Sequence, residues 1–443
     1  MTIGIPEYQK QTINTGCKNK DQKYWKSIRG INMEKIDETM SVYQILSEYP
    51  FLLKIFKQHG MGKFEIKDVL EQLGPLLKLK TALSMVSVNK ESFIELLNQA
   101  VADNEARGDF TLADAPQRQK ELTLLALLPC GMKMPFNRAL NEFSAEYSKQ
   151  TGNVLHSLIE GNVNHELSYY AYMDSVTSVE ELPDIIISSD INSFYHKPFQ
   201  ENFLSYEYFT DLGASPMNSD FEEIGFADPR GQFTMLSGNL LVLVTINELM
   251  DGKPAPQSWE DILKDEFRNK VAMRGQNGFF CNGVLLPFYQ MYGTEGIKKL
   301  ASSVYMGLHP SQMVKMVDSK KDDVPPMYIM PHFFAMKIQD KSRVSITVPK
   351  EGAIVSPVQM LVKKEATERV KEITDFLCGK KFGEISARAY FPTTNPEVKN
   401  KMDDVGSLYW LGWDFLLNND IGALKKEIAE VFNKQFMTTG GVV

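Results

Sequence analysis

The hydrophobic pattern changes period along the 443-residue chain. Residues 1–32 are polar and aperiodic and read as a flexible tail. From Met33 to about Asn104 apolar residues recur at helical spacing. Val42, Ile45, Leu46 and Tyr49 share one face behind Ser41, a good N-cap with Gln44 three positions on. Pro50 suits the first turn of a second helix carrying Leu53, Ile55 and Phe56, and glycine in "HGMG" (His59–Gly62) suits its end. "NKESFIELLNQAV", from Asn89, is amphipathic again. The pattern predicts a small all-α domain over 33–104, followed by a polar, turn-rich linker at 105–120.

Beyond the linker, short apolar runs alternate with helical stretches. "LTLLALLP", "NVLHSLIEG", "DIIISSD" (Asp184–Asp190), "GNLLVLVTIN" and "GAIVSPVQMLVKK" predict buried strands. "FNRALNEFSAEYSKQTG", "SWEDILKDEF", "GIKKLASSVYM" and "ATERVKEITDFLCG" predict helices. Strands alternating with helices predict an α/β fold with mostly parallel sheets. The chain shows no internal repeat.

Composition narrows the function classes. With 43% hydrophobic and 23% charged residues, the chain is an ordinary globular protein. A net charge of −8 with interspersed signs disfavours a nucleic-acid partner. No apolar run approaches the ~20 residues of a membrane helix, so no membrane insertion is expected. The N-terminal stretch has no apolar signal segment. The four cysteines, Cys17, Cys130, Cys281 and Cys378, form no CxxC motif and no disulfide framework. Reduced thiols and a cytoplasmic location are the expectation, or a periplasmic or extracellular one if a native leader has been removed.

Two resemblances follow from ordered blocks of sequence. "SVYQILSEYPFLLKIFKQHGMG" and "SFIELLNQAV" resemble the small helical domain associated with hybrid-cluster and redox proteins. That domain usually has a cysteine after HGMG, where this chain has Lys63 and Phe64, so the resemblance implies a protein-docking role without thiol chemistry. "LPDIIISSDINSFYHK", "FADPRGQFTMLSGNLLVLVTINELMDGKPAPQSWEDILKDEFRNKVAM", "YIMPHFFAM" and "VPKEGAIVSPVQMLVKKEATERVKEITDFLCGKKFGEISARAYFPTTNPEV" resemble type 2 periplasmic-binding-protein domains, nearest the ferric-iron-binding branch. This implies two α/β lobes hinged around a ligand cleft, lobe one at 121–237 and 336–443 and lobe two at 238–335. It also implies an ABC transporter or a sensor as partner. The iron-binding members carry adjacent tyrosines where this chain has Phe333 and Phe334. Ferric iron wants anionic oxygen ligands, so Fe(III) binding of that kind is not expected.

Ligands of open α/β sheets sit beyond the carboxyl ends of strands, near helix N-termini. That places Cys130, Gly131, Ser188, Ser189, Ser237, Asn239, Gln276, Asn277, His332 and Phe333 at the cleft as candidate ligand-binding residues, with Lys133 and Arg274 as nearby positive charge. Serine and asparagine there equally serve as turn caps. Cys130, Cys281 and His332 form an alternative set suited to a soft or borderline metal such as zinc or copper, although free cysteine most often packs as a small apolar residue. A Cys281 near a helix N-terminus is also expected to have a lowered pKa. No GxSxG, HExxH, P-loop or GxGxxG motif occurs in context, and no catalytic residue is assigned. Capture of a small-molecule or ion ligand by hinge closure is therefore read ahead of an enzyme or a cofactor-handling protein.

Overall fold

The computed structural model describes residues 36–65, 70, 77–86, 90–105, 123–161, 170, 173–276, 279–402 and 405–441. The expected tail at 1–32 lies outside the described residues. So does the expected linker, except Glu105, which ends a helix. The chain forms two compact units, Met1–Ala102 and Asp103–Val443.

The first unit contains helices α1 (Val42–Glu48), α2 (Leu53–Gln58), α3 (Leu79–Met85) and α4 (Lys90–Glu105). Ser41 caps α1, its hydroxyl accepting from the Gln44 N–H at 3.1 Å. Pro50 opens a single 3₁₀ turn, Pro50–Leu52, ahead of α2. Val42, Ile45, Phe56 and Leu97 are fully buried, and Phe56 meets Phe93 edge-on at 5.3 Å. Phe64, two positions after the HGMG stretch, is itself a buried core ring. His59 serves the end of α2: its Nδ1 lies 2.8 Å from the Ile55 carbonyl and its ring packs against Phe93.

The second unit is built on one twelve-stranded sheet. Strand β1 (Leu124–Leu128) leads into helix α5 (Cys130–Thr151), and Gly152 ends α5 in the left-handed region with φ 74°. Strands β2 (Ser157–Gly161) and β3 (Ile185–Ser189) flank β1 in parallel. Strand β4 (Phe233–Ile246) carries the chain away from them. Next come β5 (Val271–Gln276), α6 (Asn282–Ser303), β6 (Val304–Leu308), α7 (Pro310–Asp318), β7 (Met327–Pro331) and the short helix α8 (His332–Ala335). The chain returns through β8 (Val344–Thr347) and β9 (Ala353–Lys363), then α9 (Lys371–Cys378), α10 (Lys380–Arg388) and finally α11 (Ile421–Thr438).

The main strand order is β2-β1-β3-β9-β4-β7-β5. Its middle is antiparallel: β9 runs against β3 and β4, and β4 against β7. The expectation of mostly parallel sheets therefore holds only at the two ends, where β1, β2 and β3 pair in parallel and β5 pairs in parallel with β6 and β7. Hydrophobic period does not encode strand direction. Two long strands, β4 and β9, belong to both halves of the unit and must run back and forth between them.

Every residue of β1 is buried. Leu124, Ala126 and Leu128 face one core, which includes Phe136, Met360 and Phe382, while Leu125 and Leu127 face the other. A strand covered on both faces reads as a continuous apolar run, which is what "LLALL" is. "SWEDILKDEF" is not the expected helix but two 3₁₀ turns, Asp261–Leu263 and Asp265–Phe267. Asp261 accepts from the N–H groups of Gln257 and Ser258, and the Ser258 hydroxyl accepts from Asp261 N–H, so these side chains compete with helical bonding. Trp259 is buried, its indole N–H bonded to the Gly352 carbonyl at 3.0 Å.

Candidate functional site

A cavity of about 30 Å³ lies where the ends of β1, β3, β5 and β7 meet β4 and β9. That is roughly the space one water occupies in the liquid, so the cleft is nearly shut. One wall is Pro129, Ser189 and Asp190, at the ends of β1 and β3. Asn239 and Ser356 come from the two shared strands. The opposite wall is Arg274, the first turn of α6 and Pro331. Side chains from both halves of the unit therefore close on one small space.

Asp190 is its most constrained member. It follows β3 with φ 67°, a conformation that aspartate tolerates better than most residues. Its N–H donates to the Pro357 carbonyl at 2.8 Å, and its carbonyl accepts from Gln359 Nε2 at 3.2 Å and Asn192 Nδ2 at 3.3 Å. These bonds over-determine the turn, so the strain is held at a wall of the cavity. The carboxylate is buried and accepts from the Ile191 N–H at 2.8 Å. It sits against the start of α6: a Cβ on Gly283 would come within 3.0 Å of Asp190 Oδ1. Glycine is thus what lets the two walls approach.

Cys281 is the N-cap of α6, with no capping bond from its side chain. Its thiol is buried 4.0 Å from Asp190 Oδ2. Burial, reinforced by the Asp190 charge, pushes its pKa up to about 11, against a smaller lowering by Arg274. The expected lowering at a helix N-terminus is overturned: desolvation of the thiolate and a neighbouring carboxylate outweigh the helix dipole. Arg274 also faces His309, which burial and then the guanidinium push down to about 4. His309 serves as the N-cap of α7 in a capping box with Gln312.

The comparisons with known proteins bear on this geometry. Residues 180–419, more than half of the chain, match the family model described as bacterial extracellular solute-binding protein. The chain belongs to that family of solute-binding proteins. Residues 36–94 match a second model, a domain of unknown function. The solute-binding fold is shared with an ABC transporter protein from Clostridium perfringens (16% identity over 71% of this chain and 99% of that one, TM-score 0.51). It is shared too with the ferric binding protein from Campylobacter jejuni (12% identity, 71% and 99% covered, TM-score 0.51). A two-component system protein that mediates signal transduction is similar at 13% identity, with 69% and 99% covered and a TM-score of 0.50. No curated protein matches. The family is one of extracellular proteins, which gives the cytoplasmic expectation no support. Among the described residues no helix is long and apolar enough to cross a membrane.

Of the candidate residues of this solute-binding protein, Ser189, Asn239 and Cys281 line the cavity. Ser188 lies behind it, accepting from Gln359 Nε2 at 2.9 Å. Ser237 is fully buried, its hydroxyl 3.9 Å from the Met132 sulfur. Gly131 has a packing role: a Cβ there would meet the Phe333 ring at 2.7 Å. Phe333 packs on Phe391 and under the Lys337 ammonium, 4.1 Å from its centroid, and it belongs to the core beneath α5 rather than to the cavity. Phe334 meets the Phe333 ring edge-on at 5.0 Å and stands 6.1 Å from the His309 ring. His332 is buried edge-on to Tyr390 at 5.7 Å and is not among the lining residues. Lys133 is buried within α5. Gln276 ends β5 and Cys130 begins α5, but their side chains lie outside the described residues, as does Asn277 altogether.

Of the set Cys130, Cys281 and His332, the Cys130 side chain lies outside the described residues. Among the described residues no three His, Cys, Asp or Glu side chains stand close enough to hold an ion. Tyr170, one of an adjacent tyrosine pair, reaches Ser189 from behind at 3.4 Å, and Tyr169 lies outside the described residues. Sequence reasoning placed Asp190 and Arg274 at strand ends without making them ligand residues. The signal that singles them out is opposite charge at the ends of two strands, one from each wall.

Proposed function

We propose that this protein captures a small solute between its lobes and closes over it, without bond-making chemistry. The observation that carries the reading is the cavity lined from both walls and from the two shared strands by Ser189, Asp190, Asn239, Ser356 and Arg274. Apolar walls from Leu241, Val284 and Ile329 with several convergent polar groups suit a small ligand held by a few polar contacts. The Asn239 amide makes no hydrogen bond with any described residue and is half-buried, so it has donors and an acceptor to give. Closure would pivot on β4 and β9. Their register shifts between Val358 and Gln359, which leaves Leu236 as a bulged residue at the crossing.

The Phe333–Phe334 packing supports a ligand other than Fe(III) held by a tyrosine pair. The family description supports action outside the cytoplasm; an ABC importer or a sensor that receives the solute is part of the proposal. The 33–104 domain is proposed to dock a protein partner. Native mass spectrometry of protein from its own host tests the capture reading. A stoichiometric small mass is expected, and it should be lost on Asn239→Ala or Arg274→Ala. A mass retained by both variants, or one traced to zinc or copper lost on Cys281→Ser, would overturn it.

A further inference from the structure

We infer that Lys425 is a positioning residue of the cleft: it ties the wall that carries Asp190 to helix α11, and α11 thereby clasps the two halves of the unit together. The inference rests on the cleft-capture reading and names what holds the closed form. The body of α11 is fixed to the half that carries α6. Phe432 and Phe436 lie on Phe280 at 4.5 and 4.9 Å, and Gln435 donates to the Ser302 hydroxyl at 3.0 Å. Just past its end, the Thr439 carbonyl accepts from Asn269 Nδ2 at 2.9 Å. The segment before α11 belongs to the other half. In the short helix Trp413–Asn418, the Trp413 indole N–H donates to the Phe226 carbonyl at 3.0 Å, and its ring packs against Tyr195 and Phe233. Asn419 and Asp420, both extended, join the two helices. Opening of the cleft therefore bends the chain at this joint and draws the first turns of α11 away from the β3 wall.

Lys425 is the polar link across that gap. Its ammonium donates to the Ile191 carbonyl at 3.1 Å and to His196 Nε2 at 3.0 Å. Ile191 is gripped at both ends, because its N–H donates to the Asp190 carboxylate at 2.8 Å. Lys425 thus braces the turn that presents Asp190 to the cavity. Gly422, three positions earlier, lets the helix come this close: a Cβ there would lie 3.2 Å from His196 Cγ. His196 is braced from its other edge, its Nδ1–H donating to Asp174 at 3.0 Å, which leaves Nε2 as the acceptor for Lys425. A clasp of two hydrogen bonds from one cation biases closure and still breaks. Acid undoes it. A protonated His196 carries hydrogen on both ring nitrogens, has no lone pair for Lys425, and adds a second positive charge beside the ammonium. The carboxylates facing the pair are Asp174 and Asp420 at His196 and Asp190 and Asp174 at Lys425. Burial and then Lys425 hold His196 below the usual imidazole value against Asp174 and Asp420, so the ring is neutral at neutral pH.

The test follows the distance between the halves by single-molecule energy transfer, with dyes at Tyr206→Cys and Lys320→Cys in the whole protein otherwise free of cysteine. Without added solute at neutral pH, Lys425→Met should raise the open-to-closed ratio about tenfold, the weight of one hydrogen bond from a charged group. Acidification to about pH 5 should raise the ratio in the labelled parent. His196→Gln keeps an acceptor for Lys425 and does not titrate, so its ratio should stay flat with acid. An equal ratio in Lys425→Met and the parent, or an acid response that His196→Gln retains in full, overturns the clasp. Should Lys425→Met fail to fold, the acid response decides alone. Capture is read separately, from the response of the labelled parent to a small-molecule filtrate of its host. A filtrate response without a Lys425 effect leaves capture standing and removes the clasp. A Lys425 effect without a filtrate response supports the clasp and removes capture.

Discussion

At the scale of single residues, the pair that first sets this chain apart from iron carriers is settled by packing. Phe333 lies against the helix at Gly131, and Phe334 meets it edge-on at 5.0 Å while reaching His309, so both rings are spent on packing and neither lines the cavity. Phe333→Tyr with Phe334→Tyr is therefore expected to give no visible tyrosinate–iron band on addition of ferric citrate. Appearance of that band would mean that the pair reaches a common site. Gly131→Ala puts a methyl 2.7 Å from the Phe333 ring, too close without movement. Urea unfolding should show a loss of about 1–3 kcal/mol, the usual range for overpacking, and an unchanged midpoint would refute the contact. Some of this scale was legible in the sequence. Ser41 as a cap and His59 as a helix-end residue follow from local rules, and both stand. Asp190 was harder, because its role depends on a turn conformation and on Gly283 from the opposite wall, 93 positions away in sequence.

At the scale of elements, buried strands are the most legible feature, since a strand covered on both faces must be apolar throughout; "DIIISSD" yields Ile185–Ser189. Strand direction was not legible, nor the 3₁₀ turns after Trp259, where serine and aspartate side chains take up the backbone donors. The last helix shows how tertiary context sets chemistry. α11 begins beside His196 and ends with Phe432 and Phe436 on Phe280, with Gln435 bonded to Ser302, so it spans both halves of the unit. Burial pushes Lys425, near its start, down to about 8, against smaller raising effects of Asp190 and Asp174. Burial, then Lys425, holds its neighbour His196 below the usual imidazole value despite the Asp174 contact.

The sign of the resulting pH dependence follows from proton counting. Between about 8 and the ordinary lysine value near 10.4, the unfolded chain binds a proton that the folded chain has lost. Stability therefore rises with pH across that window. The Cys281 and Cys378 thiols act the other way above about pH 9, because Cys281 at about 11 and Cys378 at about 12 keep protons that the unfolded chain releases. Lys425→Met removes only the first effect. The stability of the natural protein minus that of the variant should grow by roughly 1 kcal/mol per pH unit from pH 8 to 9.5. Parallel curves would show that Lys425 is not buried as described.

At the scale of the whole molecule, the fold class was legible because strand-like and helical stretches alternate over some three hundred residues. The cleft residues were legible only in part, since sequence gives strand ends but not which ends meet. A nearly shut cleft with opposed charges implies that thiol access reports on opening. With Cys17, Cys130 and Cys378 replaced by serine, alkylation of Cys281 should be slow, and slower still with ligand present. Equal rates with and without ligand would place the thiol outside the closing surfaces.

The most direct test is the distance between the lobes, followed by single-molecule energy transfer. Dyes would be placed at Tyr206→Cys and Lys320→Cys, both exposed, in a protein otherwise free of cysteine. Solute-stripped protein should show an open population. The small-molecule filtrate of the host should shift it to a shorter distance, and Arg274→Ala should abolish the shift. A single distance unmoved by the filtrate would contradict capture by hinge closure.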